Sequence, residues 1–267
     1  MTDQLPFILL TNDDGINAPG ITALYKALDQ IADVAIVAPD REMSAAGHAI
    51  TLSDPLRVTD VELEGGITGY AVNGTPADCV KIAARAVLSR KPDLVASGIN
   101  LGSNTGINVI YSGTVSAATE GIILGIPSVA LSLATYHDPD FAPAGEVAKM
   151  VVTAVLENGL PENTLLNVNI PPLPADQLKG IVVTKQGKAF YNEKFDKRVD
   201  PRNRTYYWMS GERKSMEEDE DSDERMVQEG YVSVTPVYYD LTHYNFLDNL
   251  KSWPLFNGEK FDVRERS

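Results

Sequence analysis

Phe7-Ile-Leu-Leu-Thr-Asn-Asp-Asp-Gly15 runs an apolar stretch directly into two adjacent carboxylates and a glycine. A short continuous apolar run reads as a strand of a parallel sheet buried on both faces. Ligands of open α/β sheets sit just beyond the carboxyl ends of such strands, and Asp13 and Asp14 stand at that end. Two neighbouring carboxylates raise each other's pKa, and a divalent cation keeps both ionised. Gly15 lets the chain turn there without steric cost. The competing reading is a solvated Asn-Asp-Asp-Gly turn, because these residues are common turn formers.

Outward from this junction, apolar runs at 34–38, 94–96, 127–133 and 165–170 alternate with segments of helical character at 19–30, 76–89, 114–124 and 144–157. Pro19 and Pro76 suit the first turn of a helix. The βαβα rhythm predicts an α/β fold in three layers, a mostly parallel sheet with helices on both faces. Residues 50–72, two alternating stretches separated by acidic and glycine residues, read as a β-hairpin insertion. After about residue 186 the rhythm fades and Tyr, Trp, Arg and Asp concentrate, which divides the chain into an α/β domain at 1–185 and a C-terminal extension at 186–267. In that extension Met216 to Arg225 carries Glu217, Glu218, Asp219, Glu220, Asp221, Asp223 and Glu224. Such a run is expected to stay solvated and mobile, with a metal-binding tail as the alternative. Tyr231 to Tyr239 alternates as a strand, and the aromatic-rich 238–256 segment suits packing on another subunit.

Composition narrows the function. With 267 residues, 43% of them hydrophobic, the chain can bury a sizeable core. A formal charge of −14 and a pI near 4.6 argue against a nucleic-acid polymer as the main ligand, since that needs a basic face. A small phosphorylated ligand bridged by a metal is compatible with that charge. Cys79 is the only cysteine, so no intrachain disulfide forms. The N-terminus lacks a basic leader and no apolar run approaches the ~20 residues that span a bilayer, so the expectation is a cytoplasmic protein without a membrane partner.

Three further loops carry chemistry. Ala38-Pro-Asp-Arg-Glu-Met-Ser-Ala-Ala-Gly-His-Ala-Ile-Thr51 follows the second strand, where Ser44 offers a neutral oxygen to a metal and Gly47 permits close backbone approach; an ordinary βα loop is the alternative. Ser97-Gly-Ile-Asn-Leu-Gly-Ser-Asn-Thr-Gly106 combines glycines with short amides and hydroxyls, which suits a phosphate, though it lacks the Gly-Lys-Ser/Thr ending of a P-loop. In Tyr111-Ser-Gly-Thr-Val-Ser-Ala-Ala-Thr-Glu-Gly121, Ser112 or Thr114 caps a helix whose start, with Gly113, can meet an anion; simple capping explains the same residues. An EF-hand is excluded because its first ligand position falls on Leu10. No Gly-x-Ser-x-Gly elbow occurs, and His48, His137 and His243 have no zinc-ligand spacing.

These residues carry a resemblance to the SurE family of survival proteins, metal-dependent 5′/3′-nucleotidases. It rests on Leu-Thr-Asn-Asp-Asp-Gly-Ile-Asn-Ala-Pro-Gly, Ala-Pro-Asp-Arg with the following Ser and Gly, Gly-Thr-Pro-Ala-Asp-Cys-Val, the 97–106 loop and Tyr-Ser-Gly-Thr-Val-x-Ala-Ala-x-Glu-Gly, all within residues 7–135. Tyr231-Val-Ser-Val-Thr-Pro with Asp240-Leu-Thr resembles the family's C-terminal strand, whereas residues 190–230 match no family motif. The resemblance implies a Rossmann-like three-layer fold and a C-terminal extension used in a homodimer or homotetramer. It places the metal ligands on Asp13, Asp14, Ser44 and Asn100, with Asp13 and Asp14 also catalytic. Such an all-oxygen set suits one Mg²⁺ or Mn²⁺ per subunit. Asn12, Gly47, Asn104, Ser112, Gly113 and Thr114 become candidate contacts of the phosphate. The implied reaction is hydrolysis of nucleoside 5′- and 3′-monophosphates by a metal-activated water. Two other classes remain: a phosphatase with an aspartyl nucleophile, disfavoured because its Asp-x-Asp spacing is absent, and a non-catalytic metal- and nucleotide-binding stress-response module.

Overall fold

A computed structural model of the chain describes residues 5–188, 190–214 and 220–256. The apolar runs form β1 (Phe7–Thr11) and β2 (Asp33–Pro39), joined by α1 (Pro19–Leu28). β3 (Val58–Glu62) and β4 (Thr68–Val72) follow as a hairpin, then α2 (Pro76–Ile82), which continues as one π-helical turn to Val87. β5 (Leu94–Leu101), the short α3 (Asn108–Tyr111), α4 (Gly113–Ile123), β6 (Ser128–Leu133), α5 (Phe141–Asn158) and β7 (Leu165–Ile170) complete the wound part. After β8 (Ile181–Val183) come the long strands β9 (Phe190–Val199) and β10 (Thr205–Lys214), then α6 (Asp223–Gln228), β11 (Val232–Val237) and α7 (Tyr244–Lys251).

Nine strands form one sheet in the order β3-β4-β2-β1-β5-β6-β7-β11-β8, parallel from β4 through β7. β1 feeds β2 on one side, and after β4 the chain crosses back to place β5 on the other. The strand order therefore reverses between β1 and β5, and a crevice opens at their carboxyl ends. Alternation along β1 divides the core. Ile8 and Leu10 pack with Leu24 and Leu28 of α1 and Val147 and Val151 of α5, while Leu9 packs with Cys79 and Val80 of α2 and Ala117 of α4 on the opposite face. Pro19 and Pro76 both stand at helix starts, and α2 is closed by a capping box between Thr75 and Asp78.

Three expectations are corrected. The hairpin arm begins at Val58, not near residue 50, because main-chain donors upstream are taken by side chains: Thr51 N–H donates to Asp78 and Arg57 N–H to Asn73. β4 also pairs in parallel with β2, so the hairpin is the edge of the main sheet. The boundary at 185/186 does not bound the sheet, since β11 returns from the extension and inserts between β7 and β8. The acidic run is not solvated throughout: Asp223 and Glu224 are buried in the first turn of α6, whereas residues 217–219 of the run lie outside the described residues. No described helix is long and apolar enough to cross a membrane.

Candidate metal and phosphate site

Beyond Thr11 the chain turns sharply. Asn12 Nδ2 donates to Gly15 O at 2.8 Å, which leaves its Oδ1 buried without a partner. Thr11 Oγ1 and Ser97 Oγ are buried without partners as well, and these two residues are register neighbours, Thr11 at the end of β1 and Ser97 midway along β5. The mouth of the crevice thus collects polar oxygens that the protein itself leaves unmatched, an uncommon arrangement for buried groups.

The loop after β2 is zipped onto the Asp13–Asp14 turn. Ile16 N–H donates to Pro39 O at 2.8 Å and Met43 N–H to Asp13 O at 2.7 Å. This brings Ser44 and Asp14 into one cleft of about 570 Å³, lined also by Asn17, Asp40, Arg41, Glu42, Leu101 and Tyr136. Ser44 Oγ donates to Glu42 Oε1 at 2.7 Å and keeps its lone pairs for a cation. Gly47 N–H donates to Tyr111 O at 3.1 Å and ties the far end of the loop to the start of α4.

Asp13 is 5% exposed and meets that helix start. Thr114 Oγ1 donates to its Oδ1 at 2.5 Å, and the main chains of Gly113 and Thr114 also hydrogen-bond its carboxylate. The start of α4 in this structure therefore meets the Asp13 carboxylate through the Thr114 hydroxyl. Ser112 caps α4, its Oγ accepting from Val115 N–H at 3.1 Å. Burial raises the Asp13 pKa against those hydrogen bonds. Asp14 is pushed up to about 6, chiefly by burial and then by the Asp13 charge, with the Leu101 main chain opposing and Glu42 adding to the rise. A divalent cation held by these carboxylates would favour their ionised forms.

Asn100 stands at the end of β5, where the register with β6 shifts between Ser97 and Asn100. Its Nδ2 donates to Leu101 O at 3.2 Å and Gly102 O at 2.7 Å, so its carbonyl oxygen is the atom left to offer as a ligand. Asn104 lies deeper, in a net of buried amides. Its N–H donates to Asn169 Oδ1 at 2.8 Å, its Nδ2 to Ser132 Oγ at 2.9 Å, and its carbonyl accepts from Asn167 and Asn169. From the other side Gly106 N–H donates to Asp223 Oδ2 at 3.0 Å and Gln186 Nε2 to Gly106 O at 2.7 Å. The loop between Asn100 and Gly106 is thus pinned at both flanks.

Two carboxylates and two neutral oxygens fit a hard divalent cation. The unmatched oxygens of Thr11, Asn12 and Ser97 suit the waters or ligand around it. The described residues contain no group of three or more His, Cys, Asp or Glu able to hold a metal, so the neutral donors Ser44 and Asn100 are essential to such a site.

Sequence reading missed the buried network behind this site. Glu120 of α4, 2% exposed, is ion-paired to Lys81 and lies 3.0 Å from His48 Nε2. Its signal was a lone carboxylate among small residues of a helix flanked by glycine. Asn167 and Asn169, polar residues inside an apolar run, were a similar signal.

A close approach to Asp13 yields a prediction. A Cβ on Gly113 would lie 2.6 Å from Asp13 Cβ and 2.8 Å from its Oδ2. Alanine there favours the helix by about 1 kcal/mol yet must displace Asp13. Gly113→Ala is expected to weaken divalent-metal binding at least about tenfold, which is about 1.4 kcal/mol, while keeping a folded α4; metal titration beside circular dichroism checks it. Unchanged metal affinity would separate Asp13 from the site.

The sequence and its fold have close counterparts. Residues 8–193 match the family described as Survival protein SurE. The chain is 49% identical over 248 residues to the 5′-nucleotidase SurE of Syntrophobacter fumaroxidans, covering 93% of this chain and 99% of the relative. It is 54% identical over 246 residues to that of Pelotomaculum thermopropionicum, covering 91% and 93%. The crystal structure of the SurE protein from Aquifex aeolicus aligns with a TM-score of 0.81 at 45% identity, covering 92% of this chain and 98% of that one. With most of its length aligned in both sequence and fold, the chain belongs to the SurE family.

Proposed function

We propose that this chain is a metal-dependent nucleotidase that hydrolyses nucleoside 5′- and 3′-monophosphates to nucleoside and phosphate. The observation that carries the reading is the meeting of Asp14 and Ser44 on one cleft at the reversal of strand order, beside Asp13 and Asn100, in a relative of proteins named 5′-nucleotidase SurE. The cleft wall carries Asp14, Asp40 and Glu42 against Arg41. A phosphomonoester with about two negative charges is repelled by such a wall until a divalent cation offsets it. Asp13, Asp14, Ser44 and Asn100 would hold that ion, Mg²⁺ or Mn²⁺, one per subunit. When bound it polarises a phosphoryl oxygen and lowers the pKa of water.

The protein's own groups do the rest. Thr114 and the start of α4 fix Asp13. Asp14, less enclosed, is the carboxylate that accepts a proton from the attacking water. Asn12 Oδ1 is an acceptor, so it orients a water proton and does not bind a phosphate oxygen. Gly47, Asn104, Ser112, Gly113 and Thr114 support the loops around the phosphate rather than donate to it, because Gly47 N–H donates to Tyr111 O, the Gly102, Asn104 and Gly106 amides donate to Leu133, Asn169 and Asp223, Ser112 caps α4 and Thr114 donates to Asp13. In the C-terminal region the β9–β10 ribbon pairs, among the described residues, only within itself and exposes Phe195, Tyr207, Trp208 and Met209, and α7 exposes Tyr244 and Phe246. These faces support a homodimer or homotetramer, and the setting is cytoplasmic.

Inorganic phosphate release from 5′- and 3′-nucleoside monophosphates with Mn²⁺, Mg²⁺ or EDTA tests the reading. Release with metal and none with EDTA is the expected result. A folded, metal-binding protein that releases no phosphate with any metal would instead be a non-catalytic nucleotide-binding module.

A further inference from the structure

The cleft of about 570 Å³ is far larger than a phosphate group requires and falls within the roughly 300–1,000 Å³ of sites that enclose a whole small molecule. Its lining combines polar groups, Asp14 and Ser44 among them, with the small apolar residues Ile16, Ala18 and Pro19. Tyr136, just past the end of β6, is the aromatic side chain among the described residues lining this cleft. It is 73% exposed, unusual for a tyrosine beside a deep crevice.

The main chain makes room for this ring. Gly102 holds φ at +99°, and a Cβ there would lie 2.4 to 2.5 Å from Cε1, Cζ and Oη of Tyr136. One edge of the ring therefore rests on the Gly102 backbone, in the loop that carries Asn100. The position of the ring is thus tied to the same loop as a metal ligand, while most of its surface remains uncovered.

We propose that Tyr136 is the platform on which the base of the substrate stacks, the residue by which this site distinguishes a nucleotide from a bare sugar phosphate. The inference rests on the nucleotidase reading and extends it to base recognition. Stacking on one aromatic face is tolerant of base identity, because every base has a π-face. With the phosphate directed to the Asp14 and Ser44 end of the cleft and the base held by area alone, several nucleoside monophosphates are accepted.

The experiment compares adenosine 5′-monophosphate with ribose 5-phosphate on wild type, Tyr136→Ala and Tyr136→Phe in the presence of Mn²⁺. Tyr136→Ala is expected to raise KM for the nucleotide by about tenfold or more, leave its kcat unchanged and leave both constants for ribose 5-phosphate unchanged. Tyr136→Phe restores the wild-type KM. An equal effect on both substrates, or none on the nucleotide, would overturn the proposal. Equilibrium binding of the two ligands to the Mn²⁺-loaded wild type and Tyr136→Ala proteins is measured in parallel. Failure of the nucleotidase reading appears as no phosphate release by wild type from either compound. In that case loss of nucleotide binding alone in Tyr136→Ala still supports the stacking role, and equal binding of both ligands to both proteins overturns it.

Discussion

Asp14→Asn is expected to release phosphate from nucleoside monophosphates at least about a thousandfold more slowly than wild type, since metal-ion polarisation is worth several kcal/mol and each ~1.4 kcal/mol is tenfold. The substitution keeps the shape of the side chain and removes the charge by which Asp14 is proposed to hold the metal and accept a proton. Its fold is expected to survive, because burial and the Asp13 charge already disfavour an ionised Asp14. Thermal unfolding of the metal-free variant is therefore expected at or above that of metal-free wild type, and isothermal titration is expected to show weakened Mn²⁺ binding. A variant with wild-type turnover would remove this carboxylate from the mechanism.

The second large effect belongs to Glu120. Its carboxylate is buried between α2 and α4 and joins Lys81 to His48. Glu120→Ala strands both partners, although Lys81 and His48 retain partial access to water, so the cost is about 2–3 kcal/mol and a fall in Tm of about 5 °C or more. The loss is expected to reach the proposed metal site through residues 48–51. Thr75 Oγ1 donates to Ala49 O at 2.8 Å and Thr51 N–H donates to Asp78 at 3.1 Å, so with His48 the segment is fastened to α2 and α4 just downstream of Ser44 and Gly47. Weaker metal binding is expected alongside the lower Tm. Acid dependence gives a sharper readout. Burial acts to raise the Glu120 pKa, but hydrogen bonds and charge from His48 and Lys81 outweigh it and hold the group below its ordinary 4.5. The unfolded chain then binds the proton more readily, so this stabilisation is full above pH 4.5 and is lost as pH falls through the lower folded value. The stability gap between wild type and Glu120→Gln is expected to narrow on acidification below pH 4.5; a gap that is constant with pH would show that the carboxylate charge contributes nothing.

The wound part of the fold was legible because its signals are local. Each central strand is an apolar run, Pro19 and Pro76 mark helix starts, and Asp13, Asp14, Asn100 and Ser112 all stand at strand or helix ends where α/β ligands gather. What was illegible depends on partners distant in sequence. Asp223 sits in a run whose composition reads as solvated, yet it is buried because Gly106, 117 residues away, donates to it. β11 alternates as any strand does, and nothing local discloses that it inserts between β7 and β8. Asn167 and Asn169 break an apolar run for the sake of the Asn104 main chain, more than 60 residues upstream. The stretch before Val58 has strand-like alternation, but its donors are claimed by Asp78 and Asn73.

Asp223 clasping Gly106, together with the late insertion of β11, has a consequence for biosynthesis. Every residue assigned to metal and phosphate has been translated by Thr114, yet the loop that carries Asn100 and Asn104 receives its final anchor only after the ribosome has added more than one hundred further residues. A nascent chain therefore holds all the candidate ligands before their loop is anchored, and the finished geometry is reserved for molecules that include Asp223 and β11.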